Sequence, residues 1–288
     1  MKIYEKNTDL VLENVQDFNL EQTFDCGQCF RWDRFDDGFI GIAYGHPLYI
    51  TESGSNIVLH NTSMHDWDTV WRDYFDADRD YGKIKNTLSA DSVMKEAISF
   101  GDGIRILNQE PFECLISFII SASNNIPRIK KIINELCIAF GDKIEYMGKT
   151  FYSFPSPDRL AQLDLSDLSV IKAGFRDKYI LNAAKSVNDG RIDLECLKNA
   201  SAEYAKTELL KLSGVGNKVA DCVLLFSLKK YSSFPIDVWI KRIMEYCYFD
   251  SEQSKEIIAQ LAENKFGALG GFAQQYLFYW ARENKIGI

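Results

Sequence analysis

Leu212-Ser213-Gly214-Val215-Gly216-Asn217-Lys218-Val219-Ala220-Asp221-Cys222, followed by Pro235-Ile236-Asp237-Val238, is the stretch from which the fold can be read. Apolar residues on both sides recur at helical spacing, so two helices meet at a Gly-x-Gly turn. Gly214 and Gly216 allow a tight turn and leave their N–H groups unblocked, which suits a phosphate at a helix N-terminus. Lys218 stands in the first turn of the second helix, where the positive end of the helix dipole disfavours an ammonium. A neutral amine is a nucleophile. A phosphate grip beside such an amine points to covalent chemistry on nucleic acid.

Working outward, Ser201 is suited to cap a helix running through Lys211, with Tyr204 and Leu209 among its apolar contacts. In the second helix, Val219, Cys222, Val223 and Phe226 form a buried stripe, and Lys218 shares a face with Cys222 four residues on. Asp237 precedes the periodic run Ile240, Ile243, Met244 and Cys247, as an N-cap does.

The first sixty or so residues read as antiparallel strand. Leu10–Leu12, Cys29–Trp32, Phe39–Tyr44, Leu48–Thr51 and Ile57–Leu59 are short apolar runs separated by turn residues such as Asp36-Asp37-Gly38. From about Asp66 the period becomes helical, with Phe112, Leu115, Ile116, Ile119 and Ile120 on one face. The expected class is therefore α+β. An N-terminal antiparallel sheet domain with connecting helices covers residues 1–95, and a mostly helical body covers 96–288. In that body the hairpin occupies about 202–229, and the Pro-x-Asp region extends to about 250.

Composition bounds the reading. The 288 residues are 46% hydrophobic, enough for a packed core, and no stretch reaches the length of a membrane span. With no apolar leader at its start, the chain reads as soluble and intracellular. A net charge of −8 argues against a broad basic coat for nucleic acid and favours a small local footprint. The seven cysteines are scattered and odd in number, as reduced thiols are. Cys26-Gly27-Gln28-Cys29 has C-x-x-C spacing, but no second pair completes a zinc set. No metal and no cofactor are expected.

The hairpin, its lysine, and Pro235 with Asp237 resemble the helix-hairpin-helix/Gly-Pro-Asp signature of base-excision DNA glycosylases. The likeness extends to Phe24–Trp32, to Gly103–Leu115 running into Ser121–Arg128, and to Gly271–Phe278, segments similar to those of the 8-oxoguanine DNA glycosylase/AP lyases. The resemblance is close to full-length. It implies a bifunctional enzyme that flips 8-oxoguanine out of duplex DNA and excises it, then cleaves the strand through a Schiff base. Lys218 is then the nucleophile and Asp237 its carboxylate partner. Gly27 would accept from the lesion's N7–H, Cys222 and Phe278 would sandwich the base, and Gln274 would bind its pairing edge. Asn124 and Asn125 fall in the gap-filling loop, Phe175 at the wedge, and Arg128 and Arg176 at the positions that read the orphaned cytosine. Gly214 and Gly216 would grip the backbone.

The C-terminal four-cysteine iron–sulfur loop of some glycosylase relatives is absent, since no cysteine follows Cys247. Ser123, Phe175, Trp239 and Ser213 stand where better-known members carry asparagine, tyrosine, histidine and proline. The implied partner is double-stranded DNA with 8-oxoguanine, preferably opposite cytosine. The chain would act as a monomer, away from membranes, in the nucleoid-bearing cytoplasm of a bacterium or the nucleus of a eukaryote. Two other readings have distinct signatures. A glycosylase for alkylated purines usually lacks the hairpin lysine, and a non-catalytic hairpin module would leave Lys218, Asp237, Cys222 and Gln274 dispersed.

Overall fold

A computed structural model describes residues 1–286, so the last two residues of the expected body lie outside it. Six strands, β1 (Lys2–Lys6), β2 (Asp9–Glu13), β3 (Trp32–Phe35), β4 (Gly38–Ala43), β5 (His46–Ser53) and β6 (Asn56–His60), form one antiparallel sheet in the order β1-β2-β6-β5-β4-β3. Registers such as Ile50↔Leu59 and Phe39↔Ile50 line apolar side chains up on one face. That face packs on Trp67, Trp71 and Tyr74 from the helical stretch 64–74 and on Phe75 just after it. Trp32 lies at its centre, stacked on Phe24 with ring centroids 4.1 Å apart and donating to the Tyr74 hydroxyl at 2.7 Å.

The helical body contains α1 (Tyr81–Leu88), α2 (Ser92–Phe100), α3 (Pro111–Ser121), α4 (Ile126–Phe140), α5 (Asp177–Asn188), α6 (Ala202–Leu209), α7 (Asn217–Phe226), α8 (Val238–Tyr248), α9 (Lys255–Phe266) and α10 (Gly270–Asn284), with shorter turns between. Helix α3 is its hub: nine of its residues, Pro111, Phe112, Cys114, Leu115, Ile116, Ser117, Phe118, Ile119 and Ile120, are buried. It packs against α4, α5 and α7. Residue 95 falls inside α2, whose Met94, Ala97 and Ile98 join the apolar core of the body together with Tyr81, Ile84 and Leu88 of α1. No helix among the described residues is long and apolar enough to cross a membrane.

Three local expectations change. Only Trp32 of the run Cys29–Trp32 lies in a strand. The residues before it are a buried loop, with Phe30 facing the helical core and Cys29 the sheet core. Strand β1 adds an edge that its alternating KIYEK sequence disguised, and β7 (Lys143–Tyr146) pairs with β8 (Lys149–Tyr152) as a separate hairpin. Tyr204 is 53% exposed rather than packed, and helix α6 stops at Leu209, short of Lys211.

Sheet and body are stitched together by the buried Gln28. Its Nε2 donates to the Thr23 and Arg105 carbonyls at 2.9 and 2.7 Å, and its Oε1 accepts from Leu107 N–H at 2.9 Å. An Arg31–Glu113 ion pair at 3.0 Å adds a second tie to α3. These bonds fix the neighbouring Gly27 above the helical body.

Candidate active site

The hairpin is built as its sequence requires. Ser201 caps α6 by accepting from Tyr204 N–H at 3.2 Å. Lys206 of α6 pairs at 2.7 Å with the buried Asp221 of α7, clamping the two helices. Gly214 has φ +85°, and a Cβ there would lie 2.5 Å from the Tyr179 ring. At Gly216, the N-cap of α7, a Cβ would meet nothing within 4 Å, so the approach to its backbone is open. Gly214→Ala should therefore cost about 2 kcal/mol or more through the left-handed backbone and the ring clash. Gly216→Ala meets no clash and should cost only about 0.5–1 kcal/mol, the disadvantage of alanine at an N-cap. Both should weaken duplex binding. Denaturant unfolding and a duplex titration on the two variants check this; equal stability losses would disprove the assignment of strain to Gly214.

Six predicted residues converge. Gly27, Lys218, Cys222, Asp237, Gln274 and Phe278 line one cleft, together with Phe118, Phe226, Pro235 and Gln275. Lys218 rises from the first turn of α7, and its Nζ sits 4.9 Å from the Phe118 ring centroid and 3.2 Å from Ser121 Oγ. Asp237 caps α8, accepting from Ile240 N–H at 2.8 Å. No ion pair within 4 Å joins it to Lys218, and burial raises its carboxyl above the usual range against the pull of the Ile240 N–H and the Lys218 charge. Burial likewise pushes the Cys222 thiol up to about 12, which leaves it a neutral, apolar wall.

Gly27 has φ +79°, and a Cβ there would come 3.1 Å from Phe278 Cε1, so a side chain would strain the backbone and crowd the ring. Arg282 covers the outside of Phe278 with its guanidinium 5.5 Å from the ring centroid and donates to the Asp25 carbonyl. The buried Oε1 of Gln274 has no hydrogen-bond partner. Such an orphan costs about 1–3 kcal/mol, recovered when a donor enters. The cleft is narrow: its free volume is about 40 Å³, space for a water molecule but far from the hundreds of Å³ of a ligand site. A larger cleft of about 330 Å³ lies between the sheet and α4. Its cations, Arg31 and Lys130, are already paired with Glu113 and Asp33.

The other predicted residues lie along a rim. Asn125 caps α4 by accepting from Arg128 N–H at 3.1 Å, and Asn124 donates to the Ile120 carbonyl at 3.1 Å. Ser123 between them and α3 adopts φ +49°. Phe175 is 56% exposed, a bare ring with the Arg176 guanidinium 4.3 Å from its centroid. Arg176 differs from expectation. It is only 4% exposed, and it donates to the carbonyls of Ala122, Ala173 and Ser123. Arg128 is exposed, and its charge acts on Arg176. The C-x-x-C cysteines are packing groups: both are buried and reduced, and Cys26 Sγ accepts from Gln28 and Gln275.

Ser121 and Phe118 were not singled out beforehand. Both sit beside Lys218, but 97 residues separate Ser121 from it, so no local pattern reveals the contact.

This arrangement brings the open backbone of Gly216, the Lys218 amine, a buried carboxylate and a narrow slot together beside the hairpin. Residues 10–115 match the 8-oxoguanine DNA glycosylase N-terminal domain, and residues 116–267 match the helix-hairpin-helix Gly-Pro-Asp superfamily of base excision DNA repair proteins. The chain belongs to that superfamily, in its 8-oxoguanine DNA glycosylase branch. An N-glycosylase/DNA lyase of Arabidopsis thaliana, OGG1, is 31% identical over 283 residues, covering 91% of this chain and 77% of that protein. The solved structure of the Clostridium acetobutylicum 8-oxoguanine glycosylase/lyase, bound to duplex DNA with cytosine opposite 8-oxoguanine, superposes with a TM-score of 0.97. It is 45% identical and covers 99% of both chains. MBOgg1, solved with a low-affinity DNA ligand, also gives 0.97, at 47% identity over 99% of each chain.

Proposed function

We propose that this protein excises 8-oxoguanine from duplex DNA and then cleaves the strand as an AP lyase. The observation that carries the reading is the convergence of Gly27, Lys218, Cys222, Asp237, Gln274 and Phe278 on a single cleft. A dispersed set would have favoured a non-catalytic hairpin. The Lys218 lone pair forms a bond to the sugar C1′ as the C1′–N9 bond breaks and its electrons leave with the base. Asp237 stabilises the positive charge that develops on the sugar and assists removal of the amine proton. Ring opening gives a Schiff base. Loss of a C2′ proton then expels the 3′ phosphate. Both groups belong to the chain, so the reaction calls for no cofactor.

Base recognition follows from the same walls. Phe278 and Cys222 supply the two faces of the slot, the orphaned Gln274 Oε1 accepts from a guanine-type edge, and Gly27 offers its carbonyl to an N7–H. Entry of the base requires Phe278 to leave its seat on Gly27. Gly214 and Gly216 hold the backbone, the loop carrying Asn124 and Asn125 fills the vacated stack, and Phe175 wedges beside it. We read the protein as acting alone wherever the genome lies, in bacterial cytoplasm or a eukaryotic nucleus.

Cytosine is the preferred partner in this reading. Arg176 directs four of its five N–H donors to the carbonyls of Ala122, Ala173 and Ser123, so it shapes the loop and Arg128 is the freer of the two to meet the orphaned base. A charge-assisted donor left without an acceptor costs about 1–3 kcal/mol. Arg128→Leu should flatten the preference while leaving excision opposite cytosine nearly intact. Single-turnover assays on 8-oxoguanine opposite each base, with a 3-methyladenine duplex alongside, test both points. Equal rates opposite cytosine and adenine in the unaltered protein would remove the preference, and release of only the methylated base would overturn the substrate.

A further inference from the structure

Helix α3 ends against the nucleophile. Ser121, its last residue, gives its hydroxyl proton to the Phe118 carbonyl at 2.8 Å, so only its lone pairs face the cleft. Lys218 Nζ donates into them at 3.2 Å while lying over the Phe118 ring. One residue further on, the Ala122 carbonyl is held by Arg176. The seat of the amine is therefore fixed on both sides, by α3 and by the clamped loop.

We propose that Ser121 is a positioning residue for the Lys218 amine, holding it over Phe118 and apart from Asp237 until the sugar arrives. The inference rests on Lys218 being the nucleophile. A lysine has a flexible four-carbon stem, and an amine that must search for its line of attack loses the advantage of a preset geometry. A small misplacement of a reacting group lowers rates by up to about 10²-fold. Ser121 limits that search with a neutral acceptor, which holds the amine without the strong attraction that a carboxylate would exert on an ammonium. A serine at a helix end often bonds a preceding carbonyl for local structure alone. That role alone predicts a change in stability and none in the rate of chemistry.

The test compares Ser121→Ala, Ser121→Thr and Ser121→Cys with the full-length protein, in excess over an 8-oxoguanine:cytosine duplex. Three quantities are read: duplex Kd, the single-turnover rate of borohydride-trapped adduct at saturation, and Tm. Ser121→Ala should slow trapping about tenfold with Kd within about twofold of the parent. Threonine, which keeps the hydroxyl, should recover the rate to within about threefold. Should the alanine protein melt early, the near-isosteric cysteine carries the test and should be slow as well. Parent-like trapping in the alanine or cysteine protein, or threonine as slow as alanine, overturns the proposal. So does a rate loss that disappears at saturating enzyme. A Lys218→Gln control separates the two ideas. With no adduct in that control and full speed in Ser121→Ala, positioning alone fails; an adduct that survives in the control overturns both.

Discussion

Lys218→Gln will bind an 8-oxoguanine duplex and yield no borohydride-trapped adduct. Glutamine nearly matches the lysine in reach and can still donate to Ser121 Oγ, but an amide nitrogen has no lone pair to give to C1′. Excision should fall by about 10⁴-fold or more, the scale on which loss of a catalytic nucleophile is felt elsewhere. The fold should be indifferent or gain slightly, because a cation in the first turn of α7 opposes the helix dipole by about 0.3–1 kcal/mol. Binding should stay within about threefold, since the open Gly216 amide and the rim residues are untouched. Trapping in parallel with a thermal melt distinguishes chemistry from folding. An adduct that persists in a folded Lys218→Gln protein places the nucleophile elsewhere.

Asp237→Asn should lower excision by about 10²–10³-fold, the range for removing one preorganised electrostatic stabiliser, without lowering stability. The cap survives, because asparagine Oδ1 can accept from Ile240 N–H as the aspartate does at 2.8 Å. The charge does not. Burial raises the Asp237 carboxyl above its ordinary 3.8, so the folded state holds its proton more tightly than the unfolded chain. Such a group opposes folding above its raised value, and stability recovers as pH falls through that value. The asparagine protein should thus have a Tm at or above the parent's near neutrality. That advantage should vanish below the ordinary carboxylate range. By the same sign, the acidic limb of the parent's excision profile should lie above 3.8 and be absent from the variant. Excision within tenfold of the parent, or a clearly lower Tm at neutral pH, would refute the assignment.

Much of this site is legible in sequence because its parts are local. A Gly-x-Gly turn, a first-turn lysine and a capping aspartate each follow from residues within one or two turns of helix, and all three stand where they were expected. The pieces that escaped depend on distant partners. Arg176 looks like a surface cation until the loop carbonyls of Ala122 and Ser123 are seen around it. Phe30 suggests a strand by its apolar neighbours, yet it turns inward because Gln28 ties that loop to the segment 105–109. Strand β1 hides because an edge with one wet face need not be apolar. Ser121 carries no signal at all until α3 is brought against α7.

The narrow slot between Gly27 and Phe278 also bears on how intact DNA would be passed over in the proposed reaction. A site that must first be prised open is occupied only in proportion to the time it spends open. If that fraction were about one in a hundred, every base would bind about a hundredfold more weakly than the open slot alone allows. A base that completes the contacts of Gln274 and Gly27 offsets the deficit and holds the ring aside; one that lacks a partner for either is ejected as Phe278 falls back. On the mechanism proposed above, undamaged guanines would sample the interior too briefly for Lys218 to act on them. On that reading, selection against the vast excess of normal bases would begin with a phenyl ring at rest on a glycine.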